Sequence, residues 1–182
     1  FQTSVDDLQE QIYSGEVRRL RLEAEIAGQM DFEVPVAIAQ THPDIVASEL
    51  ALLVARQADY RSKVEGARGV LEQTQRELAS MEDMYRREIV ALFEVTRARK
   101  ANQDAESKLN EIITGTELDR AAAYSDTLQK LGKLKQDLRF ALDQLGRTTI
   151  TSPMHGIVNN LGVTTIGGVI RPGEEIFQII PM

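Results

Sequence analysis

The sequence predicts a mainly α fold: three helices, of which two pair in a long antiparallel hairpin (coiled coil), followed by a small β half-domain. The first observation behind this prediction is apolar spacing that alternates between four and three residues over most of residues 1–147. The second is composition, since 27% of the residues are charged, 5% are aromatic and Cys and Trp are absent. This composition favours helices with apolar stripes over a large globular core. The third is a change to β-branched residues, Gly and Pro from residue 148 onward.

The clearest element is the second helix, predicted over about residues 43–87, with Pro43 in its first turn. Its stripe keeps the heptad spacing without interruption, which is typical of a coiled-coil seam. The seam positions are Val46, Leu50, Leu53, Gln57, Tyr60, Val64, Ala67, Leu71, Thr74, Leu78, Met81 and Tyr85. The polar members of this seam, like those of the third helix, either set the register between helices or are tolerated at a hydrated interface, and the sequence leaves both interpretations open.

The first helix is predicted over about residues 3–28, with Gly28 as its stop signal. Its stripe consists of Tyr13, Val17, Leu20, Ala24 and Ala27. A loop is predicted over residues 29–42, because Pro35 interrupts helical structure there, and the apolar residues of the loop suggest that it packs on the rest of the protein. Two packings of the first helix remain open. It either lies beside the base of the hairpin or continues the line of the second helix.

The third helix is predicted over about residues 91–146, and its two halves follow different registers. The first half has Ala91, Val95, Ala98, Asn102, Ala105, Leu109 and Ile112 in phase; the second has Ala121, Tyr124, Leu128, Leu131, Lys135, Leu138, Leu142 and Leu145. The residues Thr114–Thr116 lie at the mismatch, which predicts a stutter, a kink or a short break where the helix changes partner. The short connection near residues 87–91 makes the second and third helices antiparallel neighbours.

The last segment, residues 148–182, is predicted to form half of a β-sandwich, because a piece this short cannot bury a core alone. Strands are expected over Thr148–Thr151, Ile157–Leu161 and Glu175–Ile180, with an extended stretch at Val169–Arg171. The glycines do not precede a helix, so they cannot form a phosphate cradle, and they are interpreted as turn residues with positive φ. These glycines are Gly162, Gly167, Gly168 and Gly173.

This segment resembles a known protein family. Residues 150–158 (ITSPMHGIV) are similar to the motif I-x-[SA]-P-x-x-G-x-V at the entry to the second lipoyl half of bacterial membrane fusion proteins. Residues 165–175 (TIGGVIRPGEE), followed by Ile179–Pro181, resemble the corresponding motif of the HlyD family of type I secretion adaptors. The resemblance implies that 148–182 is the C-terminal half of a lipoyl/biotinyl-type β domain. The structural motif residues would be Pro153, Gly156, Gly167, Gly168, Pro172 and Gly173.

The family resemblance also implies a function. Such adaptors lie in the periplasm, are anchored to the inner membrane and link an ABC transporter to a TolC-like outer-membrane channel for one-step protein export. Here the anchor would lie outside this sequence. In the full-length protein the adaptor would self-associate into a ring, whereas this part alone could be monomeric. The alternatives are an adaptor of a drug-efflux pump and a structural coiled-coil protein.

The hairpin tip is the predicted partner-binding site for the outer-membrane channel. Its residues are Arg87, Ile89, Val90, Ala91, Leu92, Phe93 and Glu94. They fit the family's tip pattern [RK]-x-L-[IV]-S-x-x-E in part, with Ala91 where Ser is usual. An exposed apolar turn favours docking of a partner. The alternative is that these residues close the end of the coiled coil on themselves.

Other functions receive little support from the sequence. The net charge of −7 argues against nucleic acid as a partner. No cofactor is expected, because residues 148–182 contain no Lys that could carry a lipoyl or biotinyl group. No metal site or catalytic residue is expected either, since Cys is absent and the only histidines, His42 and His155, lie far apart in sequence. The chain is therefore predicted not to be an enzyme.

Overall fold

The computed structural model describes residues 2–152, 154–162, 166–168, 170–171 and 173–181. In chain order the elements are α1 (Gln2–Ile26), α2 (Val36–Thr41), α3 (Pro43–Arg86), α4 (Leu92–Gly146), β1 (Gly156–Leu161) and β2 (Phe177–Pro181). Helices α3 and α4 form the long antiparallel hairpin, and β1 pairs with β2 in a small sheet. The predicted fold class is thereby confirmed. None of the helices in the described part of the chain is both long enough and apolar enough to span a bilayer.

Helix α1 lies beside the base of the hairpin, which decides between the two packings left open by the sequence. It runs antiparallel to α4, since the Tyr124 hydroxyl donates to Glu23 at 2.8 Å and the Lys135 ammonium donates to Glu16 at 2.6 Å. Burial disfavours the charged form of Glu16, but hydrogen bonds from Lys135 and Arg19 outweigh it and hold the pKa of this carboxyl below its usual value. The base of the rod is therefore a three-helix bundle.

The close contact between α1 and α4 depends on Gly15. A Cβ atom at this position would lie 2.7 Å from Cδ2 of Leu131, which is itself buried. Because no side chain separates the two helices here, their backbones approach closely. Gly15 forms a notch that receives Leu131 and fixes the local distance between the helices.

The segment between α1 and α3 runs back along the base of the hairpin, from the end of α1 to the start of α3. Gly28 ends α1 with φ +71°, and the N–H of Gln29 donates to the carbonyl of Ala24 at 2.8 Å. The predicted loop over residues 29–42 is wrong in one respect, because it contains the short helix α2. Pro35 starts α2 rather than breaking it, since its carbonyl accepts from the N–H of Ile38 at 2.9 Å. Ile38 is buried, as the apolar character of the segment predicted.

The buried side of α3 is the one that the heptad spacing predicted. Leu53, Gln57 and Val64 are buried, and the other predicted seam positions are half-buried except Tyr85, which is 43% exposed. From Gln57 toward the tip, α4 is the helix on which α3 packs within the described part of the chain. At about 1.5 Å per residue, this two-helix arm extends about 45 Å from Gln57 to the tip.

Helix α4 is continuous through Thr114–Thr116, which excludes the short break among the three predicted alternatives and leaves a change of register within one helix. The positions that face the bundle are Ile112, Thr116, Arg120, Tyr124, Thr127 and Leu131. From Ile112 to Tyr124 these positions are each four residues apart. The buried face therefore turns around the helix axis, from the side that contacts α3 to the side that contacts α1.

The predicted second register of α4 is therefore wrong at several positions. Leu128 and Leu142 are 43% and 47% exposed, and Ala121 and Lys135 are exposed as well. Arg120 and Thr127 are buried instead. The hydroxyl of Thr127 donates to the carbonyl of Ala123 at 2.8 Å, so the helix itself satisfies this buried polar group.

The sheet is antiparallel, with Ile157 opposite Ile180 and a bulge at Asn160, whose φ is +50°. The predicted strand at Thr148–Thr151 is wrong. The N–H of Thr148 donates to the carbonyl of Leu145 at 3.0 Å and continues the turn at the end of α4. Of Val169–Arg171, Val169 lies outside the described residues and the other two are not in a strand.

The motif glycines have different roles. Gly167 and Gly173 have positive φ, +83° and +84°, as predicted. Gly162 does not, and its requirement is space, because a Cβ there would lie 2.7 Å from the carbonyl oxygen of Glu175. Gly156 is likewise constrained, since a Cβ would strike the carbonyl of Ile180. Gly168 is exposed. The motif residues Pro153 and Pro172 lie outside the described residues.

Candidate functional site: the hairpin tip

The turn at the hairpin tip is a Schellman motif. Helix α3 ends at Arg86 and Arg87 is its C-cap. The N–H of Ile89 donates to the carbonyl of Met84 and that of Glu88 to the carbonyl of Tyr85, both at 2.9 Å. The motif requires a left-handed residue, and here this residue is Glu88, with φ +58°. A non-glycine residue in this conformation is disfavoured by steric contact between its Cβ and the backbone.

We expect Glu88→Gly to raise the free energy of unfolding by about 1 kcal/mol, because glycine adopts positive φ without this steric cost. The matched control is Glu65→Gly on the exposed face of α3, where φ is helical. This second substitution should lower stability by about 1 kcal/mol. Urea denaturation of both variants measures the effect, and the same sign for both would contradict the assignment of Glu88 as the strained position.

Helix α4 begins without a side-chain cap. Its N-cap residue is Ala91, with φ −77° and ψ 154°, and no side chain accepts from the first turn. The backbone compensates in part, since the N–H of Glu94 donates to the carbonyl of Ala91 at 3.0 Å. Glu94 lies at the third helical position, where its charge is favourable to the helix dipole. Ala91 has no hydroxyl or carboxylate that could cap the first turn of α4.

We expect Ala91→Ser to stabilise the protein by about 1 kcal/mol, because the new hydroxyl and the carboxylate of Glu94 would together form a capping box. The same substitution at Ala101, an exposed interior position of α4, should be neutral or slightly destabilising. Thermal denaturation followed by circular dichroism compares the two. A stabilisation of equal size at both positions would show that the hydroxyl does not act as a cap.

The side chains of the tip form an exposed apolar surface. Ile89, Leu92 and Phe93 are 64%, 59% and 71% exposed, respectively, whereas Val90 is half-buried and Val95 below it is buried. Val90 and Val95 thus close the end of the coiled coil, and the other three project into solvent. The tip therefore contains both side chains that close the end of the coiled coil and an exposed apolar surface, and docking of a partner through that surface stays a prediction.

Charged side chains surround this apolar surface. Arg87 is 69% exposed and its guanidinium lies 3.5 Å from the carboxylate of Asp83. Glu94 is exposed on the opposite side of the turn, in the first turn of α4. Ala91 is also exposed. The structure thus brings all seven predicted tip residues to one end of the rod.

A second polar site, which sequence reasoning did not identify, lies where the three long helices meet. We call its four buried residues, Arg21, Glu25, Gln57 and Arg120, the Glu25 cluster. The carboxylate of Glu25 accepts from Arg21 at 2.5 Å and from Arg120 at 3.2 Å. The only sequence signal was Gln57, a polar residue in an apolar seam.

The two histidines have different environments. His42 stacks on Tyr13 with ring centroids 5.3 Å apart, and its Nδ1 lies 3.4 Å from the carboxylate of Glu10. His155 is exposed in the segment before β1. Within the residues described above, no group of three or more His, Asp or Glu side chains is arranged to hold a metal ion.

The rod, its exposed apolar tip and the small antiparallel sheet define a protein of the long helical-hairpin class. The family model described as "AprE, long alpha-helical hairpin" matches residues 1–92, just over half of the chain. The chain therefore belongs to this family. The resemblance to type I secretion membrane fusion proteins, noted from the motifs, is confirmed at the level of the family.

A curated relative and a solved structure support this assignment. The chain is 26% identical over 211 residues to the type I secretion system membrane fusion protein PrsE of Rhizobium meliloti (strain 1021), covering 90% of this chain and 48% of PrsE. It thus spans about half the length of that relative. The crystal structure of the soluble domain of LipC, a membrane fusion protein of a type I secretion system, has a TM-score of 0.68 at 19% identity. That match covers 100% of this chain and 86% of the LipC domain and shows the same fold.

Proposed function

We propose that this chain is the periplasmic arm of a type I secretion adaptor, which links an inner-membrane ABC transporter to a TolC-like outer-membrane channel during one-step protein export. In this proposal the tip docks on the channel, the protein is held at the inner membrane by a further segment, and several copies form a ring. The role is structural rather than enzymatic.

The observation that carries the proposal is the apolar tip on an unsupported arm. Ile89, Leu92 and Phe93 are all more than half exposed at the far end of a two-helix arm, where no other part of the described chain covers them. Apolar side chains held in such a position, with arginines beside them, are typical of docking surfaces. The short turn presents them at a fixed geometry, so docking requires little ordering of the adaptor.

Two findings favour type I secretion over the alternatives. The matched relative and the matched solved structure are both named as type I secretion membrane fusion proteins, which favours protein export over drug efflux. The fold-back of α4 on α3 within one chain, through a turn of five residues between Arg86 and Leu92, argues against a structural coiled coil formed between chains.

Site-specific photocrosslinking in secreting cells tests the docking proposal. A photoreactive amino acid is introduced at Phe93 in the full-length protein, and the matched position is Phe140, on the same helix and 64% exposed. We expect the Phe93 probe to give an adduct that contains the outer-membrane channel, identified by antibody, and the Phe140 probe to give none. Equal adducts from both positions, or a channel adduct from Phe140 alone, would contradict docking through the tip.

A further inference from the structure

The Glu25 cluster joins all three long helices through directional bonds. Arg21 and Glu25 belong to α1, Gln57 to α3 and Arg120 to α4. The two oxygens of the Glu25 carboxylate are shared between helices, one accepting from Arg21 within α1 and the other from Arg120 on α4. Gln57 donates to the backbone carbonyl of Glu25 at 3.1 Å and accepts from Arg120 at 3.4 Å.

Further contacts complete the coordination of the charged groups. Arg21 donates to Glu49 of α3 at 2.5 Å, and the guanidinium of Arg120 lies 4.7 Å from the ring centroid of Tyr60. Arg56, half-exposed, lies 3.6 Å from the Glu25 carboxylate. In the part of the chain that the structure describes, every buried side-chain nitrogen and oxygen has a hydrogen-bond partner. The cluster is thus fully satisfied in one arrangement of the three helices.

That arrangement is specific to one register of α1. Apolar contacts are non-directional, so a stripe of alternating four and three spacing can slide along its partner and recover much of its burial. Hydrogen bonds are lost beyond about 3.5 Å, whereas a slide by one helical turn moves each group by about 5.4 Å. A slide would therefore separate Arg120 from the Glu25 carboxylate and leave its buried charge without that partner, which is strongly unfavourable. Arg21 would keep Glu25, its partner within α1, but lose Glu49 of α3.

The position of the cluster along the rod is equally informative. Glu25 lies one residue before the end of α1, and Gln57 and Arg120 mark the level above which α3 and α4 pair without α1. The run of four-residue steps in α4, from Ile112 to Tyr124, passes this level at Arg120. The cluster thus lies at the junction between the three-helix base and the two-helix arm.

We propose that the Glu25 cluster is a latch that holds α1 in a single register on the hairpin and so fixes the point at which the base ends and the free arm begins. Stability alone does not require such a cluster, since apolar side chains of similar size often replace buried ion pairs without loss. An apolar core normally excludes charged residues. The need for directional hydrogen bonds at the last turn of α1 explains why charged residues are buried here.

Disulfide mapping tests the register. The protein has no native Cys, so only the introduced cysteines can form a disulfide. One reporter pair, Glu16→Cys with Lys135→Cys, reports the observed register, in which the two native side chains are in contact. A second pair, Glu16→Cys with Arg139→Cys, reports α1 displaced by one turn. Both pairs are placed in the native background and in the apolar variant Arg21→Met/Glu25→Leu/Arg120→Met.

With the native cluster, we expect the displaced pair to form less than about one-twentieth of the disulfide formed by the observed pair. In the apolar variant we expect this fraction to rise to about one-third or more, because the remaining contacts are mostly apolar and select the register less strongly. An unchanged preference in the apolar variant would overturn the proposal. So would a displaced register caused by Gly15→Ala alone, since the Gly15 notch and not the cluster would then set the register.

Hydrogen exchange of Glu25→Gln provides a measurement that does not depend on the triple variant folding. We expect exchange of the α1 amides to accelerate about a hundredfold while residues 64–86 and 92–112 of the arm change less than about threefold. Glu111→Gln, an exposed control paired with Lys108, should change neither. Equal acceleration in α1 and in the arm would show that the cluster only adds to global stability, and would overturn its role as a latch.

Discussion

Phe93→Asp is expected to reduce export of the secreted protein by at least about tenfold, because it places an unpaired charge in the centre of the proposed docking surface. The folded arm should tolerate this change, since the Phe93 side chain is 71% exposed and makes few contacts within the chain. The measurement is the amount of substrate in the medium, with the full-length adaptor supplied at equal levels in cells that lack it.

Phe140→Asp is the matched control for this experiment. It introduces the same charge change on the same helix, at a side chain that is 64% exposed, but about 70 Å from the tip at about 1.5 Å per residue. Export should stay within about twofold of normal, as expected for a surface substitution outside the interface. Normal export by both variants would show that the tip does not dock through Phe93. Val90→Asp is less informative, because Val90 is half-buried and its substitution also affects the end of the coiled coil.

The arm could be predicted from the sequence because only two helices meet there. A two-helix interface buries a narrow stripe, and the heptad spacing from Gln57 to Met81 records that stripe directly. The position of the tip could also be predicted, because the heptad spacing of α3 ends beside it. The conformation of the turn could not be predicted, because its left-handed residue is Glu88 rather than Gly or Asn.

The base could not be predicted to the same degree because three helices meet there. A helix between two neighbours buries a wide face, so Arg21 and Leu22 are both buried although they are adjacent in sequence. The stripe from Tyr13 to Ala27 captured Val17 and Ala24 but missed Glu25, and Ala27 is exposed. Which charged residue of a helix rich in charges becomes buried depends on residues far away in sequence, here Gln57 and Arg120.

Glu25→Leu is expected to lower the free energy of unfolding by about 3–5 kcal/mol, since it leaves the guanidinium groups of Arg21 and Arg120 buried without their shared carboxylate. This loss is large compared with the total stability of about 5–15 kcal/mol typical of proteins. Urea denaturation measures it, and Glu111→Leu on the exposed face of α4 should change stability by less than about 0.5 kcal/mol.

The apolar variant Arg21→Met/Glu25→Leu/Arg120→Met is expected to recover most of that loss, because no buried charge remains unpaired. Recovery of stability would separate two roles of the cluster. The charges would then contribute little to net stability. Their role would be to select the register of α1, and this would explain why two arginines and a glutamate are buried at the junction. A loss below about 1 kcal/mol for Glu25→Leu itself would instead mean that water replaces the carboxylate and that the cluster is not buried in solution.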